Sequence, residues 1–286
     1  MLQYYLYRFG QFIALHLPLK LGYRFAVFCS DLHYVFANRD REAVTANLRM
    51  IFPDKSKKEI ARLRLRMFRN FAKYLVDFFR FEELDLEYVR RNIRMENMHY
   101  FDEALQEKKG VVVLTAHLGN WELGGVVIAL LGYPFYAVAL PHKHRKVDEF
   151  FNAQREHKGV RVIPFGRAVR MCLNILEEGK MVALVGDRDF TARGGITMDF
   201  FGKPATFPVG PAAFALKTSA PIVPGFMIRN PDDTFTLRLE PPLRLASSGD
   251  KAADTRTLIA QYVKIFEKYI REHPDQWYMF RKFWVQ

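Results

Sequence analysis

Apolar positions along this chain keep one rhythm for about a third of its length and then change to another. In residues 56–80 they fall at Ile60, Leu63, Met67, Phe71, Leu75 and Phe78, steps of three and four that predict one amphipathic helix. Ser56 followed three residues later by Glu59 is a capping-box pattern at its start. Residues 1–95 as a whole read as mostly helical, and Pro18 divides the opening segment into two short helices. Beyond Gly110 comes Val111-Val112-Val113-Leu114-Thr115-Ala116, a short β-branched run that predicts a strand buried on both faces. Elements then alternate. Helices are predicted at about 120–131, 147–158, 168–178, 208–218 and 255–271, and strands at 135–140, 160–163, 181–185, 221–228 and 235–239. Gly179 stands where a helix stop is expected. The alternation predicts an α/β fold with a mixed, largely parallel sheet flanked by helices. No linker or repeat divides the chain, so a helical region over 1–95 and an α/β core over 96–286 form one integrated domain.

Charge and composition narrow the partners. The 43 Lys and Arg against 31 Asp and Glu leave +12, a field that favours an anionic partner. Nucleic acid is disfavoured, because no helix-turn-helix, zinc-finger or RNA-binding aromatic motif is present. Residues 1–30 carry Arg8, Lys20 and Arg24, no acid, and many bulky apolar side chains such as Phe9, Phe12, Phe25 and Phe28. That pattern suits helices lying in the headgroup plane. No apolar run reaches the ~18 residues a spanning helix needs. An Ala-x-Ala cleavage site is also absent. The 26 Phe residues fit a membrane interface or an acyl-chain tunnel as well as a core. Two cysteines, Cys29 and Cys172, build no disulfide framework.

The chemistry concentrates at two predicted strand ends. His117, in Thr115-Ala116-His117-Leu118-Gly119-Asn120-Trp121-Glu122, follows the buried strand and precedes a helix. There a neutral imidazole can be held rigidly and take a proton from an alcohol near pH 7. On one continuous helix, the five-residue step to Glu122 would point the two side chains about 140° apart. They can meet only if His117 lies in a turn, which Gly119-Asn120 permits. A second acidic cluster, Gly186-Asp187-Arg188-Asp189, follows the strand at 181–185, and either of its carboxylates can approach His117. Arg188 is suited to a phosphate or a developing oxyanion. Backbone amides near Gly119-Asn120 are further oxyanion candidates. His142, His144 and His157 lack a zinc-ligand pattern. No serine or cysteine sits in a nucleophile motif, which points away from an acyl-enzyme.

At these residues the sequence resembles the bacterial lipid A biosynthesis acyltransferases, including the lauroyl and myristoyl transferases, and the related mycobacterial phosphatidylinositol mannoside acyltransferases. The resemblance covers nearly the whole chain. It runs through Val44-Thr45-Ala46-Asn47-Leu48-Arg49-Met50-Ile51-Phe52-Pro53, the His117 block and the Asp187 block. It continues through Phe200-Phe201-Gly202-Lys203-Pro204-Ala205, Pro208-Val209-Gly210-Pro211-Ala212-Ala213 and Ala220-Pro221-Ile222-Val223-Pro224-Gly225-Phe226 to His273-Pro274-Asp275-Gln276-Trp277. It implies a glycerolipid-acyltransferase-like fold, with His117 as general base of a His-x4-Asp/Glu motif that Glu122 completes. It also implies that Asp187 supports the histidine; which of the two carboxylates bonds it directly stays open. Arg155 matches a phosphate or headgroup contact, and Asn120, Arg188 and Asp189 are carried as further substrate contacts. The reaction implied is metal-free and cofactor-free transfer from an acyl thioester of acyl carrier protein or coenzyme A to a glycolipid hydroxyl. A lipid A precursor is the first acceptor, with a phosphatidylinositol-mannoside-like or other phospholipid as the alternative. A catalytically silent membrane-binding relative is the reading from another class. The implied location is the cytoplasmic face of the bacterial inner membrane. An apolar N-terminal segment shorter than the anchor of the lipid A enzymes implies monotopic or peripheral attachment.

Overall fold

The computed structural model describes residues 2–188, 195–246 and 248–284; Asp189 lies outside them. The N-terminal region is helical, as its period predicts: α1 (Leu2–His16), α2 (Leu19–Phe36), α3 (Asn38–Ile51), α4 (Lys57–Phe79) and α5 (Leu86–Asn92). Pro18 separates α1 from α2 at the N-cap position, where a missing N–H does no harm. The capping box opens α4: the Ser56 hydroxyl accepts from Glu59 N at 3.3 Å, and Ser56 N donates to the Glu59 carboxylate at 2.8 Å.

The core continues as β1 (Ile93–Glu96), α6 (His99–Gln106), β2 (Val111–Thr115), α7 (Trp121–Leu130), β3 (Phe135–Ala139) and α8 (Arg145–Glu156). Next come β4 (Arg161–Pro164), α9 (Ala168–Glu177), β5 (Met181–Val185), β6 (Gly195–Phe200) and β7 (Lys203–Pro208). The last elements are α10 (Gly210–Thr218), β8 (Ile222–Arg229), β9 (Phe235–Leu239) and α11 (Lys251–Glu272). Seven strands form one sheet in the order β1-β9-β8-β2-β5-β3-β4. Only the β8–β9 pair is antiparallel, so the sheet is mixed and largely parallel.

Both faces of that sheet are covered, which is why β2 reads as an unbroken apolar run. Val111 and Val113 pack with α6, α7 and α8, whereas Val112 and Leu114 pack with α9, α10 and α11. Three elements depart from the predicted pattern. β1 sits at the end of the stretch read as helical, because its four residues pair with β9 rather than extend α5. The β6–β7 hairpin has no predicted counterpart. Its alternation of buried Met198, Phe200, Ala205 and Phe207 is short, and it is completed by tertiary contact, with Phe201 N donating to Glu267 on α11 at 2.6 Å. Helix α11 starts earlier than predicted because the Asp250 carboxylate caps Ala252 N and Ala253 N.

One surface departs from ordinary burial. Helices α1 and α2 leave Phe9, Phe12, Phe25 and Phe28 exposed, and the first thirty residues hold no acidic group. Behind them, against α4, lies an apolar groove of about 420 Å³ lined by residues such as Ile13, Phe25, Phe71 and Phe79. Among the described residues no helix is long and apolar enough to cross a membrane.

Candidate active site

The site is built on the turn between β2 and α7. Thr115 at the end of β2 is in register with Val185 at the end of β5. Two residues past each strand end stand His117 and Asp187, which parallel pairing therefore brings to the same edge of the sheet. His117 Nδ1 and Asp187 Oδ1 are 2.6 Å apart. The other carboxylate oxygen of Asp187 accepts from Trp277 Nε1 at 3.0 Å. Asp187 is fully buried and the His117 side chain is 15% exposed, so the imidazole rests on a dry support and keeps a small part of its surface accessible. Burial alone would push the Asp187 carboxyl up, but the His117 ring, Arg188 and the Trp277 indole outweigh it and hold the carboxyl below the ordinary range. An ionised Asp187 accepts the proton on Nδ1, which makes Nε2 the basic nitrogen.

Backbone bonds fix the turn itself. Gly119 has φ +63°, and a Cβ there would lie 2.0 Å from Met227 O, so only glycine fits. Gly119 N donates to Gln276 O at 2.9 Å, Asn120 N to Met227 O at 2.7 Å, and Tyr278 N to His117 O at 2.9 Å. These bonds correct the expectation that amides near Gly119-Asn120 serve as oxyanion donors: both N–H groups are already engaged in holding the turn.

Glu122 stands apart from His117. It lies in the first turn of α7 and takes both Nε and Nη2 of Arg155, from α8, at 2.8 and 2.6 Å. Both side chains of this bidentate pair are largely buried. Burial opposes the Arg155 charge, yet Glu122 holds the guanidinium above its ordinary value. Asn120 is buried, and its side chain is committed: the carbonyl caps Leu123 N at 3.1 Å and the amide donates to Asp77 at 2.8 Å. Arg188 donates to Tyr278 O, and its buried Nε has no hydrogen-bond partner among the described residues. Burial lowers its pKa, with Asp187 opposing and Arg281 adding to the effect. The fourth substrate-contact candidate, Asp189, lies outside the described residues.

Beside this turn, Trp121 sets its ring edge-on to His117 at 5.0 Å. Trp121 and the Glu122–Arg155 pair border a narrow apolar slot between α7 and the sheet. Small residues make its space: Gly124 and Gly125 on the helix, and Ala137, Ala183 and Gly225 on three strands. Among the described residues no three His, Cys, Asp or Glu side chains come together as a metal site. Sequence reasoning missed Asp77 and Arg229 and assigned no role to Gln276 or Trp277, although both lie in the segment His273–Trp277 that carries part of the family resemblance. Asp77 did leave a trace, as a single acid inside the apolar run Leu75-Val76-Asp77-Phe78-Phe79.

The class the fold defines is α/β, and its candidate site is a histidine seated on a buried carboxylate at parallel strand ends, with an apolar slot beyond Trp121. The family described as bacterial lipid A biosynthesis acyltransferase matches residues 1–286, and the chain belongs to that family; it is an O-acyltransferase. The chain is 29% identical over 220 residues to a phosphatidylinositol mannoside acyltransferase of Mycolicibacterium smegmatis, covering 76% of this chain and 70% of that protein. It is 20% identical over 243 residues to a lipid A biosynthesis acyltransferase of Haemophilus influenzae, covering 84% and 74%. With the lipid A biosynthesis lauroyltransferase of Escherichia coli it shares 22% identity over 274 residues, 95% of this chain and 88% of that protein.

Proposed function

We propose that the protein transfers a fatty acyl chain from an acyl thioester of acyl carrier protein or coenzyme A to a hydroxyl of a membrane glycolipid, with His117 as general base. The observation that carries this reading is the His117–Asp187 hydrogen bond of 2.6 Å, completed by the Trp277 indole. His117 Nε2 removes the proton of the acceptor hydroxyl as its oxygen forms a bond to the thioester carbonyl carbon. The tetrahedral intermediate collapses, the carbon–sulfur bond breaks, and the imidazolium returns the proton to the departing thiolate. Asp187 stabilises the transient imidazolium. The slot beneath α7 receives the donor's acyl chain. The Glu122–Arg155 pair at its border orients a polar part of one substrate.

The acceptor class is drawn from the relatives. The mannolipid acyltransferase is 29% identical and the lipid A enzymes 20% and 22%, so a phosphatidylinositol-mannoside-like acceptor stands beside a lipid A precursor. We further propose that the α1–α2 face meets the cytoplasmic surface of the membrane as a peripheral or monotopic attachment. Its exposed rings and the cations Arg8, Lys20 and Arg24 suit an anionic bilayer.

The test is incubation of purified protein with bacterial glycolipid extract and each thioester in turn, with mass spectrometry reading one added acyl chain. Wild type is expected to make the product, and His117→Ala to lose about 10²- to 10⁴-fold in rate. Product from both proteins at one rate would remove His117 from the mechanism. No product from folded, membrane-bound wild type with authenticated substrates would favour a silent membrane-binding relative.

A further inference from the structure

Behind the catalytic turn lies a buried polar cluster that the proposed chemistry does not use. Asp77, from the end of α4, is 5% exposed, and its carboxylate is shared by three donors. They are Tyr23 Oη from α2, Asn120 Nδ2 at 2.8 Å and the Arg229 guanidinium from the end of β8. Arg229 is itself buried, its guanidinium lying over the rings of Tyr23 and Phe235. Its backbone is clamped as well: Arg229 N donates to Gln276 Oε1 at 3.0 Å, and Gln276 Nε2 donates to Arg229 O at 2.9 Å. Gln276 O in turn accepts from Gly119 N at 2.9 Å. Arg229 thus reaches the catalytic turn twice, through Asp77 to Asn120 and through Gln276 to Gly119.

We propose that Asp77 is a positioning residue for catalysis: held by Arg229 and Tyr23, its carboxylate pins the Asn120 cap and so fixes the turn that aims His117 at the substrate. A buried ion pair is weak support for stability by itself, because desolvating two charges offsets their attraction. Its use in fixing one arrangement of the chain fits this location. Asn120 would cap α7 equally well without Asp77, as serine and threonine do elsewhere. The extra bond from its amide to Asp77 removes the rotation that a cap alone leaves open. The cluster also joins three regions distant in sequence, since α2 and α4 belong to the helical N-terminal region and Arg229 to the sheet. The inference rests on the reading of His117 as the base.

The experiment compares Asp77→Ala, Asn120→Ser and the double variant. Asn120→Ser keeps an oxygen for Leu123 N and removes the amide donor that reaches Asp77. Each single variant is expected to lower kcat about 10- to 100-fold, the size of a misplacement near 1 Å, with KM within about twofold. The double variant is expected to be no slower than the slower single one, because both changes break one link. A second readout is the low-field proton NMR signal of the His117 Nδ1–H donated to Asp187, expected to broaden in every variant. Multiplying losses in the double variant, a rise in KM alone, or an unchanged kcat and proton signal would overturn the proposal. If Asp77→Ala does not fold, Asn120→Ser, with its cap retained, decides the question through kcat and the proton signal. Wild-type protein that transfers no acyl chain would sink the base reading, while the proton signal would still report whether Asp77 positions the ring.

Discussion

Two carboxylates flank the His117 turn in the fold or in the sequence, and they take different partners. Asp187 comes after β5 and lies on His117; Glu122 opens α7 and lies on Arg155. Glu122 is near in sequence, five positions from the histidine, whereas Asp187 is 70 positions away. The distant residue makes the contact because β2 and β5 are neighbours in register, and equal overhangs past parallel strands converge. The near residue is carried round the first turn of α7 towards α8. Each carboxylate is then set for its task by its partner. One is paired with a group that can gain and lose a proton, the other with a permanent cation. Spacing within a motif is therefore a poorer guide to a hydrogen bond than strand order.

The sharpest way to break this contrast is to disarm each carboxylate in turn. Asp187→Asn should lower kcat by about 10³- to 10⁴-fold in steady-state assays while leaving the protein folded, because the wrong imidazole tautomer is then favoured. The same substitution has a pH signature. Asp187 titrates below the ordinary carboxylate range, so it stabilises the fold above about pH 4 and loses that contribution as pH falls through its lowered value. Melting curves of wild type and Asp187→Asn should therefore converge at acid pH; a gap that widens there would contradict the pairing.

Arg155→Met should lower stability as well, by about 3–5 kcal/mol in urea denaturation, because Glu122 is left buried and unpaired. Adding Glu122→Leu should recover most of that loss. A double variant as unstable as the single one would mean that the pair is not the principal partner of either residue. The mildest change is Trp277→Phe, which removes one donor to Asp187 and keeps most of the ring. It should lower kcat about tenfold with KM unchanged, and a larger effect than that of Asp187→Asn would reverse the order of support.

Much of this arrangement was legible in the residues, and the remainder was hidden for a physical reason. The period of α4 and its Ser56–Glu59 cap are local, and they appear as read. The bounds of β5 and β9 match because turn residues flank a short apolar run in one and a short alternation of apolar and polar residues in the other. His117 and Asp187 could be placed at strand ends, since a β-branched run that gives way to glycine and polar residues marks such an end. Their pairing needed strand order, which periodicity does not encode. The engaged amides of Gly119 and Asn120 depend on Gln276 and Met227, more than a hundred residues further on. Asp77 and Arg229 were hidden for the same reason. Asp77 looks like a lone acid inside an apolar run and Arg229 like a lone cation at the end of another, until the two are placed side by side.

The last described stretch of the chain has a temporal consequence. Gln276, Trp277 and Tyr278 all bond to the His117–Asn120 turn or to Asp187. Asn47 latches the segment 279–283 by accepting from Phe283 N and donating to Met279 O and Arg281 O. A nascent chain that has emerged only as far as β9 owns the histidine, the aspartate and the whole sheet, yet lacks the residues that align them. Its His117 turn would lack those bonds during synthesis. The turn would take its final form late, once the residues through Phe283 have cleared the ribosome and closed over it.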